Sequence, residues 1–138
     1  MSVSATVFDD LIQLARDARD RAYAPYSHFL VGAALLTRDG RRFSGCNVEN
    51  ASYGLCNCAE RTALFSAIAA GCQPGDFAAM AVIGDCPEPI APCGACRQVM
   101  AELCDGDMPV RLANLHGKTQ QTSVAELLPG WFRLPARA

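Results

Sequence analysis

Two short cysteine segments constrain this chain more than anything else in it: Cys58-Ala59-Glu60 and Pro92-Cys93-Gly94-Ala95-Cys96. Each opens a stretch of helix formers, and a strand-like segment and a proline-rich loop stand between them. A fold that uses both segments must bring two helix starts to one point. Cys93 and Cys96 are spaced i to i+3, which places two sulfurs on one face of a first helical turn, and Gly94 lets the backbone close tightly there. That is the geometry of a metal chelate.

The rest of the chain supplies elements that can carry such a site. Apolar Val7, Leu11, Leu14, Ala15 and Ala18 recur at helical spacing opposite Asp9, Asp10, Arg16, Asp17, Arg19 and Asp20, so an amphipathic helix opens the chain and ends before Pro25. Phe29 to Thr37 and Arg41 to Val48 flank Asp39-Gly40, a strong hairpin signal, and read as paired antiparallel strands. Ala59 to Ala70 predicts a second helix, stopped by Gly71 and Pro74-Gly75. Phe77 to Ile83 reads as a buried strand, Cys86 to Pro92 as a stiff loop and Ala95 to Leu103 as a third helix. Pro109 to Leu115 predicts a further strand, and Ser123 to Leu128 a short terminal helix.

Helices alternating with strands imply the α/β class, a layered fold with a mixed β-sheet flanked by helices, in one catalytic domain over residues 1–138. After Arg61 the second helix is apolar almost all the way round, broken only by Thr62 and Ser66. Such a helix either lies under the sheet or also packs against another subunit.

Composition narrows the function. A 51% hydrophobic, 19% charged chain can build a core, and a formal charge of -2 without a basic stripe argues against a nucleic acid polymer as partner. Met1 to Asp10 lacks the charged start and apolar run of a signal peptide, and no apolar stretch approaches the length of a membrane span. A soluble, cytoplasmic protein with no membrane partner is expected. The eight cysteines are then thiols or metal ligands rather than a disulfide framework. Cys46, Cys56, Cys72, Cys86 and Cys104 stand singly and read as small apolar side chains.

A structural zinc site closes its tetrahedron with a fourth protein ligand, whereas a catalytic one leaves a position for water. Cys56, His28 and His116 are the possible fourth ligands, and spacing alone does not dismiss Cys56. Glu60 tips the balance: two residues beyond a thiolate, a carboxylate is well placed to touch water at the metal and reads as a proton carrier. Three thiolates leave zinc with a net negative charge, which must be offset for that water to ionise. Helix N-termini contribute, and either Arg61 or Arg97 could donate to a thiolate, with Arg61 preferred.

These segments form the C-x-E and P-C-x-x-C signature of zinc deaminases, here with three cysteines. Beyond it the chain resembles the small homotetrameric zinc-dependent cytidine deaminases through Pro25-Tyr26-Ser27, Val31-Gly32-Ala33-Ala34, GCNVENASY from Gly45 to Tyr53, CNCAERTA from Cys56 to Ala63, PCGACRQ from Pro92 to Gln98 and ELLPGWF from Glu126 to Phe132. The resemblance implies zinc on Cys58, Cys93 and Cys96, with Glu60 as acid and base. It also implies a nucleoside pocket formed with Phe29, Asn47, Glu49, Tyr53 and Ala59, and Phe132 stacking near the pyrimidine from another subunit. Asn47 and Glu49, alternating along a strand, would face one side and offer a donor and a charged acceptor to ribose hydroxyls. The reaction implied is hydrolysis of the 4-amino group of cytidine or 2'-deoxycytidine, in pyrimidine nucleoside salvage, without an organic cofactor. A structural zinc module using Cys56, and a deaminase of some other cytosine compound, are the rival readings.

Overall fold

In the computed structural model residues 3–135 are described. The first helix, α1, spans Ala5–Arg19, capped by the Ser4 hydroxyl, which accepts from the Val7 amide at 3.2 Å. Its buried stripe is Phe8, Leu11, Ala15 and Ala18. Strands β1 (Val31–Thr37) and β2 (Arg42–Cys46) form the expected antiparallel hairpin, with Gly32 opposite Cys46 and Leu36 opposite Arg42. Both are shorter than expected. Phe29, Leu30, Asn47 and Val48 leave the ladder, and Phe29 and Asn47 line a cavity there.

Helix α2 (Ala59–Ala69) precedes β3 (Phe77–Gly84), and α3 (Gly94–Leu103) precedes β4 (Pro109–Asn114). A fifth strand, β5 (Thr119–Ser123), leads into α4 (Val124–Leu127). The sheet runs β2-β1-β3-β4-β5, with β3 and β4 parallel and the other neighbours antiparallel. This is the mixed sheet in an α/β layered fold that the element pattern implied. All eight residues of β3 are buried, because this central strand is covered on both faces.

On one face Val31, Ala33, Leu35, Met80, Val82, Val110 and Leu112 pack against Ala63, Leu64 and Ala67 of α2, Met100 of α3 and Val124 of α4. On the other, Ala34, Ala79, Ala81, Ile83 and Ala113 receive Phe8, Leu11 and Ala15 of α1. Two glycines set how closely the helices approach. A Cβ on Gly32 would stand 1.8 Å from the Ala15 carbonyl oxygen of α1, and one on Gly45 would stand 2.5 Å from the Ala63 nitrogen of α2. Each helix therefore rests directly on backbone, and β2 fixes the height of α2 and of the cysteine that starts it.

β5 was not expected from the sequence. Its residues TQQTS are polar and mostly exposed at the sheet edge, so they show no alternation of apolar and polar side chains. The turn before it is organised by buried Asn114, whose Oδ1 accepts from the His116 and Lys118 amides at 2.9 and 3.0 Å. Its Nδ2 donates to the Pro87 carbonyl at 3.0 Å. The proline-rich loop that delivers Cys93 is thereby pinned to the end of β4.

Candidate active site

Cys58 and Cys93 are the N-caps of α2 and α3, both extended, and neither spends its side chain on a capping bond. Cys96 follows in the first turn of α3 and is fully buried. The three sulfurs lie within 4.8 Å of one another, with Cys58 and Cys93 Sγ 3.6 Å apart. They are the one such group among the described residues. The two helix N-termini converge on them, so partial positive charge and free N–H groups face the sulfurs from both sides.

Arg61 reaches back from the first turn of α2 and donates from Nη2 to Cys58 Sγ at 3.3 Å, while its Nε is buried without a hydrogen-bond partner. Its charge is spent on the sulfurs, not on a carboxylate. Arg97 turns elsewhere, donating to the Pro92 carbonyl at 2.8 Å and the Leu127 carbonyl at 2.9 Å. Cys56 is likewise engaged locally: its sulfur accepts from the Asn50 amide at 3.3 Å and sits 3.6 Å from the Asn50 carbonyl oxygen. His28 is exposed in the left-handed region, and His116 pairs with Asp85 at 3.1 Å. None of these supplies a fourth ligand.

Within the cluster the Cys58 thiol is held down at about 5, chiefly because Cys96 donates to it, with Arg61 and Cys93 adding. As donor to Cys58, and as a buried group, the Cys96 thiol is pushed up. The sulfurs thus share protons among themselves, and a divalent cation bound by them would displace those protons. Three soft donors in one small cluster, backed by a guanidinium and two helix N-termini, fit zinc.

Glu60 is 3% exposed, and burial pushes its carboxyl up to about 7, with the Cys58 sulfur acting in the same direction. It lines a cavity of about 260 Å³ together with Cys58, Cys93, Ala59, Phe29, Val31, Asn47 and Glu49. Ser27, Ile90 and Ala91, to which sequence reasoning assigned no role, complete the lining. Ile90 and Phe29 meet over Gly84, where a Cβ would lie 2.8 Å from Ile90 Cδ1 and 3.2 Å from the Phe29 ring. A side chain at the end of β3 would have to displace the tip of Ile90 and crowd the Phe29 ring. The cavity has a sulfur and carboxylate end, an apolar wall and a polar lip, a shape suited to a flat heterocycle bearing a hydroxylated group.

The polar lip departs from the expected strand geometry, because β2 ends at Cys46. Asn47 and Glu49 nevertheless both line the cavity, flanking Val48, which bridges Tyr23 on one side and Asn57 on the other. Each is already held by backbone. Asn47 Oδ1 accepts from the Val31 amide at 2.8 Å, and its Nδ2 donates to the Phe29 carbonyl at 2.8 Å. Glu49 Oε1 accepts from the Tyr26 and Ser27 amides at 3.0 and 3.1 Å, and its Oε2 accepts from the Ser27 hydroxyl. These bonds keep the Glu49 carboxyl below the ordinary range, Ser27 having the largest effect. These bonds orient both side chains from the protein's own backbone.

Two expected pocket residues lie apart from this cavity. Tyr53, 75% exposed, lines a neighbouring hollow with Tyr26 and Cys56 that shares Ser27 and Glu49 with the first. Phe132, 67% exposed, follows α4, and its carbonyl accepts from Gln98 Nε2 at 2.9 Å. Neither ring contributes to the wall of its own chain's cavity.

Comparison with known proteins agrees with this geometry. The family described as the cytidine and deoxycytidylate deaminase zinc-binding region matches residues 6–112. A cytidine deaminase of Sporosarcina psychrophila is 54% identical over 124 residues, covering 90% of each chain. That of Halalkalibacterium halodurans is 59% identical over 122 residues, covering 88% of this chain and 91% of the relative. The 1.6 Å crystal structure of cytidine deaminase from Burkholderia pseudomallei superposes with a TM-score of 0.89 at 61% identity, covering 94% of this chain and 100% of that one. With its fold, its three-cysteine cluster and its relatives in agreement, this chain belongs to the cytidine and deoxycytidylate deaminase family.

Proposed function

We propose that this chain is a cytidine deaminase that hydrolyses cytidine and 2'-deoxycytidine to uridine and 2'-deoxyuridine with release of ammonia. The observation that carries the reading is the buried Glu60 carboxyl beside three converging cysteine sulfurs, on a cavity that Asn47 and Glu49 also line. Cys58, Cys93 and Cys96 would hold one zinc ion, which when bound supplies the Lewis acidity that makes water a nucleophile near neutral pH. Arg61 offsets the negative charge of the sulfurs through its bond to Cys58.

The protein's own groups do the remainder. Phe29, Val31 and Ile90 wall the base and exclude solvent, while Asn47 and Glu49 take the ribose hydroxyls, oriented in advance by Val31, Phe29, Tyr26 and Ser27. Ala59 lies at the start of α2, beside the reacting end of the base. Glu60 removes a proton from the attacking water and delivers it to ring N3, which makes C4 electrophilic. The water oxygen becomes the 4-oxo group of the product. Glu60 next takes that water's second proton from the hydroxyl now on C4 and passes it to the 4-amino nitrogen, the C4–N bond breaks, and ammonia leaves.

The reading extends to the whole protein as one catalytic domain acting in the cytoplasm, in pyrimidine nucleoside salvage, with small nucleosides and neither membrane nor nucleic acid polymer as partner. The chain carries no basic stripe, and among the described residues no helix is long and apolar enough to cross a membrane. A homotetramer, with Tyr53 and Phe132 serving a neighbouring subunit's site, accounts for two exposed rings that miss their own cavity. Ammonia release from cytidine is the test: purified protein should produce it, and a strong chelator should abolish it. Cys96→Ala should lose zinc and Cys56→Ala should keep it. The reverse pattern would favour the structural zinc module.

A further inference from the structure

The segment that carries Phe132 has no regular structure to hold it. α4 ends at Leu127, and beyond the turn at Pro129 and Gly130 the described residues form neither helix nor strand. Trp131 is half-buried and packs against the core, yet the next side chain points away, two-thirds exposed. An aromatic ring on such a segment sweeps a wide range of directions unless its backbone is fixed on both sides. On one side, packing of Trp131 supplies the restraint. On the other, Gln98 Nε2 donates to the Phe132 carbonyl at 2.9 Å.

Gln98 stands two residues after Cys96, in the helix that begins at Cys93. Its neighbour Arg97 anchors the same segment earlier, at the Leu127 carbonyl, while gripping Pro92 next to Cys93. One turn of α3 therefore faces the cysteine cluster with Cys96 and holds the C-terminal segment with Arg97 and Gln98. With Trp131 seated and the Phe132 carbonyl tied down, the direction of the Phe132 Cα–Cβ bond follows.

We propose that Gln98 is a positioning residue for substrate binding, acting through Phe132 by fixing the backbone that aims this ring. The inference rests on the reading that Phe132 stacks on the pyrimidine. It assigns to Gln98 an effect on binding and none on the proton transfers or the metal, because Gln98 lines neither the cavity nor the cluster.

Steady-state kinetics on cytidine with zinc-loaded protein tests this, comparing Gln98→Ala, Gln98→Glu, Phe132→Ala and the double variant Gln98→Ala/Phe132→Ala. Gln98→Glu keeps the shape but replaces the donor with a group that only accepts. Both Gln98 variants should raise KM roughly three- to tenfold, the weight of one neutral hydrogen bond, with kcat and zinc content unchanged. Fluorescence of Trp131, the single tryptophan, should report a loosened segment in both. The double variant should bind no worse than Phe132→Ala alone, because Gln98 has no effect without the ring. If Phe132→Ala raises KM while both Gln98 variants match the parent, or if the two substitutions add in full, Gln98 does not act through Phe132. If Phe132→Ala leaves KM unchanged, the stacking reading itself fails, and the inference falls with it.

Discussion

Residue by residue, the site divides into groups whose role follows from chemical type and groups whose role follows from their neighbours. Glu60 is of the first kind: its carboxyl is buried and stands outside the cluster of sulfurs, which supports the proposed role of proton carrier. Glu60→Gln keeps size and hydrogen bonding but removes proton transfer. Zinc content and thermal stability should survive, and kcat should fall at or beyond the upper end of the ~10²- to 10⁴-fold range typical of general acid-base groups. Zinc, melting temperature and kcat measured on one preparation check this. Intact zinc with near-normal kcat would remove Glu60 from the chemistry. Glu49 is of the second kind, since the turn from Tyr26 to Ser27 occupies most of its acceptor capacity and keeps it ionised. That turn stood in the sequence as Pro25-Tyr26-Ser27, but nothing in its spelling tied Ser27 to a carboxylate more than twenty residues on.

Elements bring these groups together, and glycine decides how closely. α2 starts at Cys58 and lies on β2 at Gly45; α1 lies on β1 at Gly32, on the opposite face from the site. Alanine at either position forces backbone apart, an overpacking cost of about 1–3 kcal/mol. Both Gly45→Ala and Gly32→Ala should therefore lower the melting temperature. Only Gly45→Ala should also weaken zinc retention against a chelator, because it lifts the helix that carries Cys58 and Arg61. Equal zinc loss in both would show that the site responds to global stability and not to the seat of α2. The apolar circumference of α2 is half explained at this scale. Ala63, Leu64 and Ala67 are buried beneath the sheet, but Phe65 remains 47% exposed on the outer side.

For the whole molecule, that outer face joins Tyr53, Leu55 and Phe132 as exposed large apolar groups on a chain of modest size. Sedimentation should find a homotetramer, and Phe65→Asp, which places a charge on the α2 face, should dissociate it and lower activity with the fold retained by circular dichroism. A fully active monomer would exclude shared sites. Much of this protein was legible in one dimension. The helix starts, the Asp39-Gly40 hairpin, the buried run of β3 and the two motifs taken singly, Cys58 with Glu60 and Cys93 with Cys96, are local patterns, and local backbone geometry turns spacing directly into direction. Tertiary structure alone decided the rest. Cys56 and Arg97 carry the same chemistry as Cys58 and Arg61 and lie almost as close in sequence, yet Asn50 holds the one, and Pro92 with Leu127 the other. The polar edge strand β5, the wall that Ile90 and Phe29 build over Gly84, and the exclusion of Tyr53 from its own chain's cavity depend likewise on contacts between distant segments. Such contacts are chosen by packing and hydrogen-bond completion in three dimensions, for which residue type and spacing carry no signal.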